Sequence, residues 1–178
     1  MPSKEIMNAD EISRTLSRIM SQILETVKEP GEICLVGIRR GGAYLADRLA
    51  QLFSADGHSG IRKGYLDITL YRDDLTSIAD YPLLLGTEIK FDVAGRHIVL
   101  VDDVIFTGRT TRAAMDALID LGRPKKISLA VLIDRGHREL PVQPDFVGRL
   151  VPTSLDEIIE VSLKEQAGSD SVSISKRI

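Results

Sequence analysis

Three apolar runs constrain this chain more than any other feature: "EICLVGI" at Glu32–Ile38, "HIVLVDD" at His97–Asp103 and "ISLAVLI" at Ile127–Ile133. A strand with one wet face alternates apolar and polar residues, whereas these runs do not alternate and must be buried on both faces. Helical periodicity follows the first two, in "AYLADRLAQLF" at Ala43–Phe53 and "TTRAAMDALIDLG" at Thr110–Gly122. Strand, turn and helix in alternation predict an α/β fold, with a mainly parallel central sheet flanked by helices.

Other segments fit around that sheet. From Asp10 to Lys28, the apolar positions Ile12, Leu16, Ile19, Met20, Ile23, Leu24 and Val27 recur every three or four residues and run into Glu-Pro-Gly, which predicts an amphipathic helix and its stop. "GYLDITLYR", Gly64–Arg72, has strand composition, and the aperiodic stretch after it reads as a long loop. "DFVGRLVP" and "EIIEVSL" read as short closing strands, and the polar tail from Gln166 carries no assignment. The length of 178 residues suits a single domain spanning 1–178.

Composition excludes several classes. Apolar residues at 43% and charged residues at 28% are those of a folded globular chain. No apolar run approaches the roughly 20 residues that span a bilayer, and the N-terminus lacks a signal-peptide core, so the expected location is cytoplasmic, with no membrane partner. The single cysteine, Cys34, lies inside an apolar run and is expected in the core. His58 and His97 have no visible partners and are expected to be structural or at the surface. A net charge of −3 leaves nucleic acid only a local basic face to bind.

In parallel sheets ligands sit at the carboxyl ends of the strands. There this sequence places Asp102 and Asp103, followed by Thr107, Gly108, Arg109, Thr110 and Thr111 at a helix start. Backbone amides, hydroxyls and a helix dipole at such a turn bind phosphate, and adjacent carboxylates can accept hydrogen bonds from sugar hydroxyls or hold hydrated Mg²⁺. A phosphorylated ribose suits both halves, although acids before a Thr N-cap also occur for purely structural reasons.

The full string "VLVDDVIFTGRT" resembles the phosphoribosyl pyrophosphate (PRPP) motif of the type I phosphoribosyltransferases. "DITLYRDDL", "LAVLIDRGHRELP", "PDFVG" and "VPTS" sharpen this to the PyrR family, uracil phosphoribosyltransferases that also regulate pyrimidine operons by binding mRNA. The likeness runs from about Ile12 to Ser154. It implies a type I phosphoribosyltransferase fold with a small hood and a flexible loop, and a reaction in which uracil and PRPP give UMP and pyrophosphate with Mg²⁺. It also implies UMP or UTP as effector, a pyrimidine-gene mRNA leader as partner, and a homodimer or higher homo-oligomer.

By the same resemblance Asp102 and Asp103 contact ribose and metal-pyrophosphate, Thr107 to Thr111 cradle the 5′-phosphate, and Val104, Ile105 and Phe106 between them also border the substrate. Arg39, Arg40 and Gly41 form the pyrophosphate loop, with Arg39-Arg40 the candidate cis peptide. Tyr71 and Arg72 open the mobile loop, Arg72 being a catalytic candidate. Asp134, Arg135, Phe146 and Val147 border the base, with Phe146 open to a core role. Arg14, Ser17, Arg18, His137, Arg138 and Arg149 are the candidate RNA face, while Ser21, Thr26 and Gln143 depart from the family's basic pattern there. The alternatives are a non-catalytic nucleotide-sensing regulator on the same fold, or a hypoxanthine-guanine enzyme.

Overall fold

The structure, a computed structural model, describes residues 3–27, 29–71 and 86–177. Five parallel strands form the main sheet: β2 (Ile33–Ile38), β3 (Arg62–Leu66), β4 (His97–Ile105), β5 (Lys126–Asp134) and β6 (Phe146–Leu150), in the order β3-β2-β4-β5-β6. A second, antiparallel sheet joins β1 (Lys4–Asn8), β8 (Ser171–Lys176) and β7 (Glu157–Ser162) in that order.

The unbroken apolar runs are explained by two cores. On one face α1 (Ala9–Thr26) and α2 (Gly41–Ala55) bring Ile12, Leu16, Leu45, Leu49 and Phe53 against Leu35, Val99, Val101 and Leu132. On the other, α3 (Arg109–Leu121) sets Ala113, Ala114, Ala117 and Leu118 against Val36, Ile98, Leu100, Leu129 and Val131. Successive residues of one strand thus feed opposite cores. Cys34 is buried as expected, and His97, read as structural or at the surface, is buried with its ring nitrogen 3.0 Å from the Ser128 hydroxyl.

Several boundaries differ from the sequence expectation. β4 runs two residues past the expected end at Asp103, to Ile105, because Val104 and Ile105 still pair with Ile133 and Asp134 of β5. β3 stops at Leu66, not Arg72. Asp67 ends it by accepting the Thr69 N–H at 3.0 Å and the Thr69 hydroxyl at 2.6 Å, which turns the chain into the 3-10 segment Thr69–Tyr71. α2 and α3 begin at Gly41 and Arg109, slightly earlier than their apolar periodicity starts.

The second sheet is the hood. The tail left unassigned supplies β8, which follows α4 (Lys164–Ala167) and lies between β1 and β7. Asn8 ends β1 and caps α1 through a reciprocal pair with Glu11, each side chain accepting the other's backbone N–H at 3.0 Å. Arg48 of α2 reaches the hood, pairing with Glu165 at 2.7 Å and Asp170 at 2.6 Å. Among the described residues no helix is long and apolar enough to cross a membrane.

Candidate active site

At the carboxyl ends of β2, β3 and β4 lies an open cleft of about 1260 Å³, lined by Arg39, Arg40, Gly41, Asp102, Asp103 and Thr110, with Tyr44, Asp47, Tyr65, Asp67 and Gln166 among the further walls. β2 delivers Arg39 and Arg40 at its end, and their peptide bond is cis, as expected. The Arg39 N–H donates to the Leu66 carbonyl at 2.9 Å, which ties the turn to the end of β3. Gly41 then passes directly over Asp103: a Cβ at that glycine would overlap the carboxylate.

Of the acid pair, Asp102 is buried against the parallel sheet and Asp103 is half-buried at the cleft. Asp102 is 7% exposed, and its Oδ1 accepts the Asp103 N–H at 3.0 Å, while Asp103 Oδ1 accepts the Val104 N–H at 2.8 Å. Burial pushes the Asp102 carboxyl well above the ordinary range, with the neighbouring Asp103 charge adding to the shift, and burial also pushes Asp103 up. Two desolvated like charges at one strand end are poised for a cation or for hydroxyl donors. Among the described residues no three acidic, His or Cys side chains converge to cage a metal. A cation here would therefore share its shell with oxygens of a bound substrate, a coordination that suits Mg²⁺.

Past Ile105 the chain makes the predicted turn. Gly108 has φ +90°, a value L side chains rarely adopt, and it caps α3. Arg109, Thr110 and Thr111 form the first turn of α3, where backbone N–H groups lack intrahelical acceptors. Thr110 faces the cleft. Thr111 does not: its side chain is 2% exposed and packs inside, so only its main chain can serve a phosphate. Arg109 points to Glu139, pairing at 2.9 Å.

A loop after β5 buttresses this turn from behind. The Glu139 and Leu140 N–H groups donate to the Thr107 carbonyl at 3.0 and 3.2 Å. Arg138 donates to the carbonyls of Phe106 at 2.8 Å and Val142 at 3.0 Å, and its guanidinium meets Asp134 at 2.6 Å. Arg135 stacks 4.1 Å from the Phe106 ring centroid and donates to the Thr153 hydroxyl and the Ser154 carbonyl. His137, at φ +61°, lies edge-on to the same ring and 2.5 Å from the Thr153 carbonyl oxygen.

Some expected contacts are not brought to the cleft. Tyr71 turns away and donates its hydroxyl to Asp120 on α3 at 2.8 Å; burial, with help from Asp120, pushes its pKa up to about 12. Arg72 lies outside the described residues. Phe146 is a core residue on the α1 face, in register with Ala130, and Val147 is half-buried beside it on the edge strand. Of the RNA candidates, Arg18 donates to the Val147 and Gly148 carbonyls at that strand's open edge. Arg149 donates to the Ile6 carbonyl and pairs with Glu11 at 3.0 Å, and Arg138 is the loop's internal hub. Arg14 is exposed on α1, and the Ser17 hydroxyl bonds its own helix at the Ser13 carbonyl.

Sequence reasoning missed Tyr44, Asp47, Tyr65, Asp67 and Gln166 as cleft walls. "GYLDIT" held the clue, since a carboxylate at a strand's carboxyl end faces the same crevice as Asp102, whereas Gln166 comes from the hood and no local signal announces it.

Comparison with known proteins agrees with this geometry. The phosphoribosyl transferase domain model matches residues 2–165. The Bifunctional protein PyrR 1 of Lactiplantibacillus plantarum is 50% identical over 176 residues, covering 98% of each chain. The Bifunctional protein PyrR of Thermus thermophilus is 53% identical over 173 residues, covering 97% of this chain and 96% of the relative. Among solved structures, the hypoxanthine phosphoribosyltransferase of Trypanosoma cruzi superposes with a TM-score of 0.73 at 16% identity, over 98% of this chain and 97% of that one. At that identity the likeness concerns the fold.

Proposed function

Because the chain belongs to the phosphoribosyl transferase domain family, and within it to the bacterial proteins named Bifunctional protein PyrR, we propose that it converts uracil and PRPP to UMP and pyrophosphate and also binds pyrimidine-gene mRNA leaders under uridine-nucleotide control. One observation carries the catalytic half: the Asp102–Asp103 pair lies directly under the Gly41 turn and one loop before the Gly108-capped helix. That spacing suits a ribose held between a diphosphate and a 5′-phosphate.

The displacement at the ribose C1 passes through a cationic sugar, so no covalent nucleophile is needed and catalysis rests on placement and charge. Asp102 and Asp103 accept ribose hydroxyls and face the developing positive charge. The first-turn amides of α3, with the Thr107 and Thr110 hydroxyls, hold the 5′-phosphate. Arg39, Arg40 and the Gly41 main chain hold the departing pyrophosphate. Asp102 and Asp103 are the residues that would hold Mg²⁺, and a cation there would supply charge neutralisation for the departing pyrophosphate. Arg135 and Asp134 act on the base through the loop they brace.

The regulatory half rests on the relatives' bifunctional name and on the exposed α1 face carrying Arg14, Ser17 and Arg18. We place the assembly as a homodimer or higher homo-oligomer, to which the exposed Leu150 and Leu155 lend support. Steady-state UMP formation from uracil, PRPP and Mg²⁺, run beside hypoxanthine and guanine, tests the enzyme. Turnover with uracil alone is expected. Turnover with a purine, or none with any base, overturns the substrate assignment, and the latter leaves a regulator without catalysis.

A further inference from the structure

Arg39 is held from two sides by a pair of residues that the reaction does not otherwise use. Its Nη2 meets Glu88 Oε1 at 2.6 Å, and its guanidinium carbon lies 5.6 Å from the centroid of the Tyr65 ring. Those two partners are not independent. Tyr65 and Glu88 exchange both backbone hydrogen bonds, at 3.0 and 2.8 Å, in an isolated antiparallel bridge along the open edge of β3. The carboxylate and the ring are therefore carried by one backbone bridge.

The ring is anchored in turn. Tyr65 donates its hydroxyl to Asp47 of α2 at 2.6 Å, and Lys63 takes the same carboxylate oxygen while lying 5.8 Å from the ring centroid. Arg39, Tyr65 and Asp47 line the cleft, whereas Glu88 is outside its wall. Glu88 can thus orient the guanidinium without itself standing against an incoming anion. A guanidinium carries five N–H donors in a planar fork, so a bond from one terminal nitrogen to Glu88 leaves donors for a diphosphate.

We propose that Glu88 is a positioning residue for the diphosphate end of the substrate: it fixes the plane of the Arg39 guanidinium over Tyr65, so that the remaining donors meet the pyrophosphate group already oriented. This rests on the proposed role of Arg39 in pyrophosphate binding. Physically, the pair removes rotamer freedom that a long side chain otherwise loses on binding. The effect belongs to PRPP affinity, because nothing in the arrangement touches the base.

The test is a double-mutant cycle on the full chain with Mg²⁺, reading KM for PRPP, KM for uracil, kcat and thermal midpoint. Glu88→Ala is expected to raise the PRPP KM about two- to fivefold, the range for an exposed ion pair, with the uracil KM and the midpoint unchanged. Glu88→Gln, which keeps an acceptor for Arg39, should recover part of the loss. In an Arg39→Ala background, Glu88→Ala should have no further effect. A PRPP KM that is unchanged or falls in Glu88→Ala overturns the proposal, as does an equal rise in both KM values. If Arg39→Ala itself leaves the PRPP KM unaltered, the pyrophosphate role of Arg39 fails instead, and the two failures are told apart by that single variant.

Discussion

Gly41 and Asp103 share one volume: the glycine's missing side chain is the space that the Asp103 carboxylate fills. The turn after β2 can close over the acid pair only because residue 41 has no Cβ. Gly41→Ala should therefore push the carboxylate aside or lift the turn from it. Misplacing a reacting group by about 1 Å costs on the order of 100-fold, so kcat/KM for PRPP should fall by about that factor while the circular dichroism spectrum stays unchanged. Activity within a factor of two of the parent would show that this contact does not set the geometry.

Burial of Asp102 makes a second prediction about stability. Its folded-state pKa is raised, chiefly by desolvation. A carboxyl with a raised folded pKa contributes most below its unfolded pKa, near 4, and that contribution is lost as the pH rises through the folded value. Above its unfolded pKa the group is therefore a burden on the fold, since it must either stay protonated or carry a charge out of water. Asp102→Asn should thus raise the thermal midpoint at pH 8 by about 3 °C, with the gain shrinking toward zero by about pH 4, while turnover drops by roughly 100-fold or more. Equal midpoints across that range would contradict the assigned burden. That opposition of stability and activity is what the proposed role of the two carboxylates predicts.

The parallel sheet and the turn at Gly108 could be read from sequence because both are local: an unbroken apolar run, a left-handed glycine and a helix start each lie within a dozen residues. The hood could not. Its strands Lys4–Asn8 and Ser171–Lys176 are polar in composition and gain their structure from each other across most of the chain. Likewise Tyr71 looked like part of the site by its place in "DITLYRDD", yet the Asp67 turn rotates it toward Asp120. The Arg residues proved hardest. Sequence lists their charges but not the carbonyls and carboxylates of Ile6, Glu11, Phe106, Val142, Val147 and Gly148 that satisfy Arg18, Arg138 and Arg149.

Arg138 shows what that difference means for function. Its side chain and that of Asp134 are only 15% and 10% exposed, and the same guanidinium holds the Phe106 and Val142 carbonyls. Removing one partner of such a pair leaves a charge buried without compensation, a loss of about 3–5 kcal/mol. Arg138→Ala should lower the stability measured by urea unfolding by about 3 kcal/mol, and it should weaken UMP binding because the turn proposed to hold the 5′-phosphate loses its rear support. Unchanged unfolding with weakened RNA binding would instead mark Arg138 as an RNA contact.

Arg14 is the contrasting case. It is exposed on α1 and makes no hydrogen bond among the described residues, whereas Arg149, nearby on β6, is engaged with Ile6 and Glu11. A cation that contacts a phosphate releases a counterion, so its removal lowers the dependence of log affinity on log salt by about 0.7 to 1. With a pyrimidine-leader hairpin and saturating UMP, Arg14→Ala should reduce that slope by about one contact. Arg149→Ala should instead act through stability, shifting the thermal midpoint while the slope changes little. If Arg14→Ala leaves slope and affinity unaltered, the α1 face is not where RNA phosphates lie; if the parent chain shows no UMP-dependent affinity above an unrelated hairpin, the regulatory activity itself is absent.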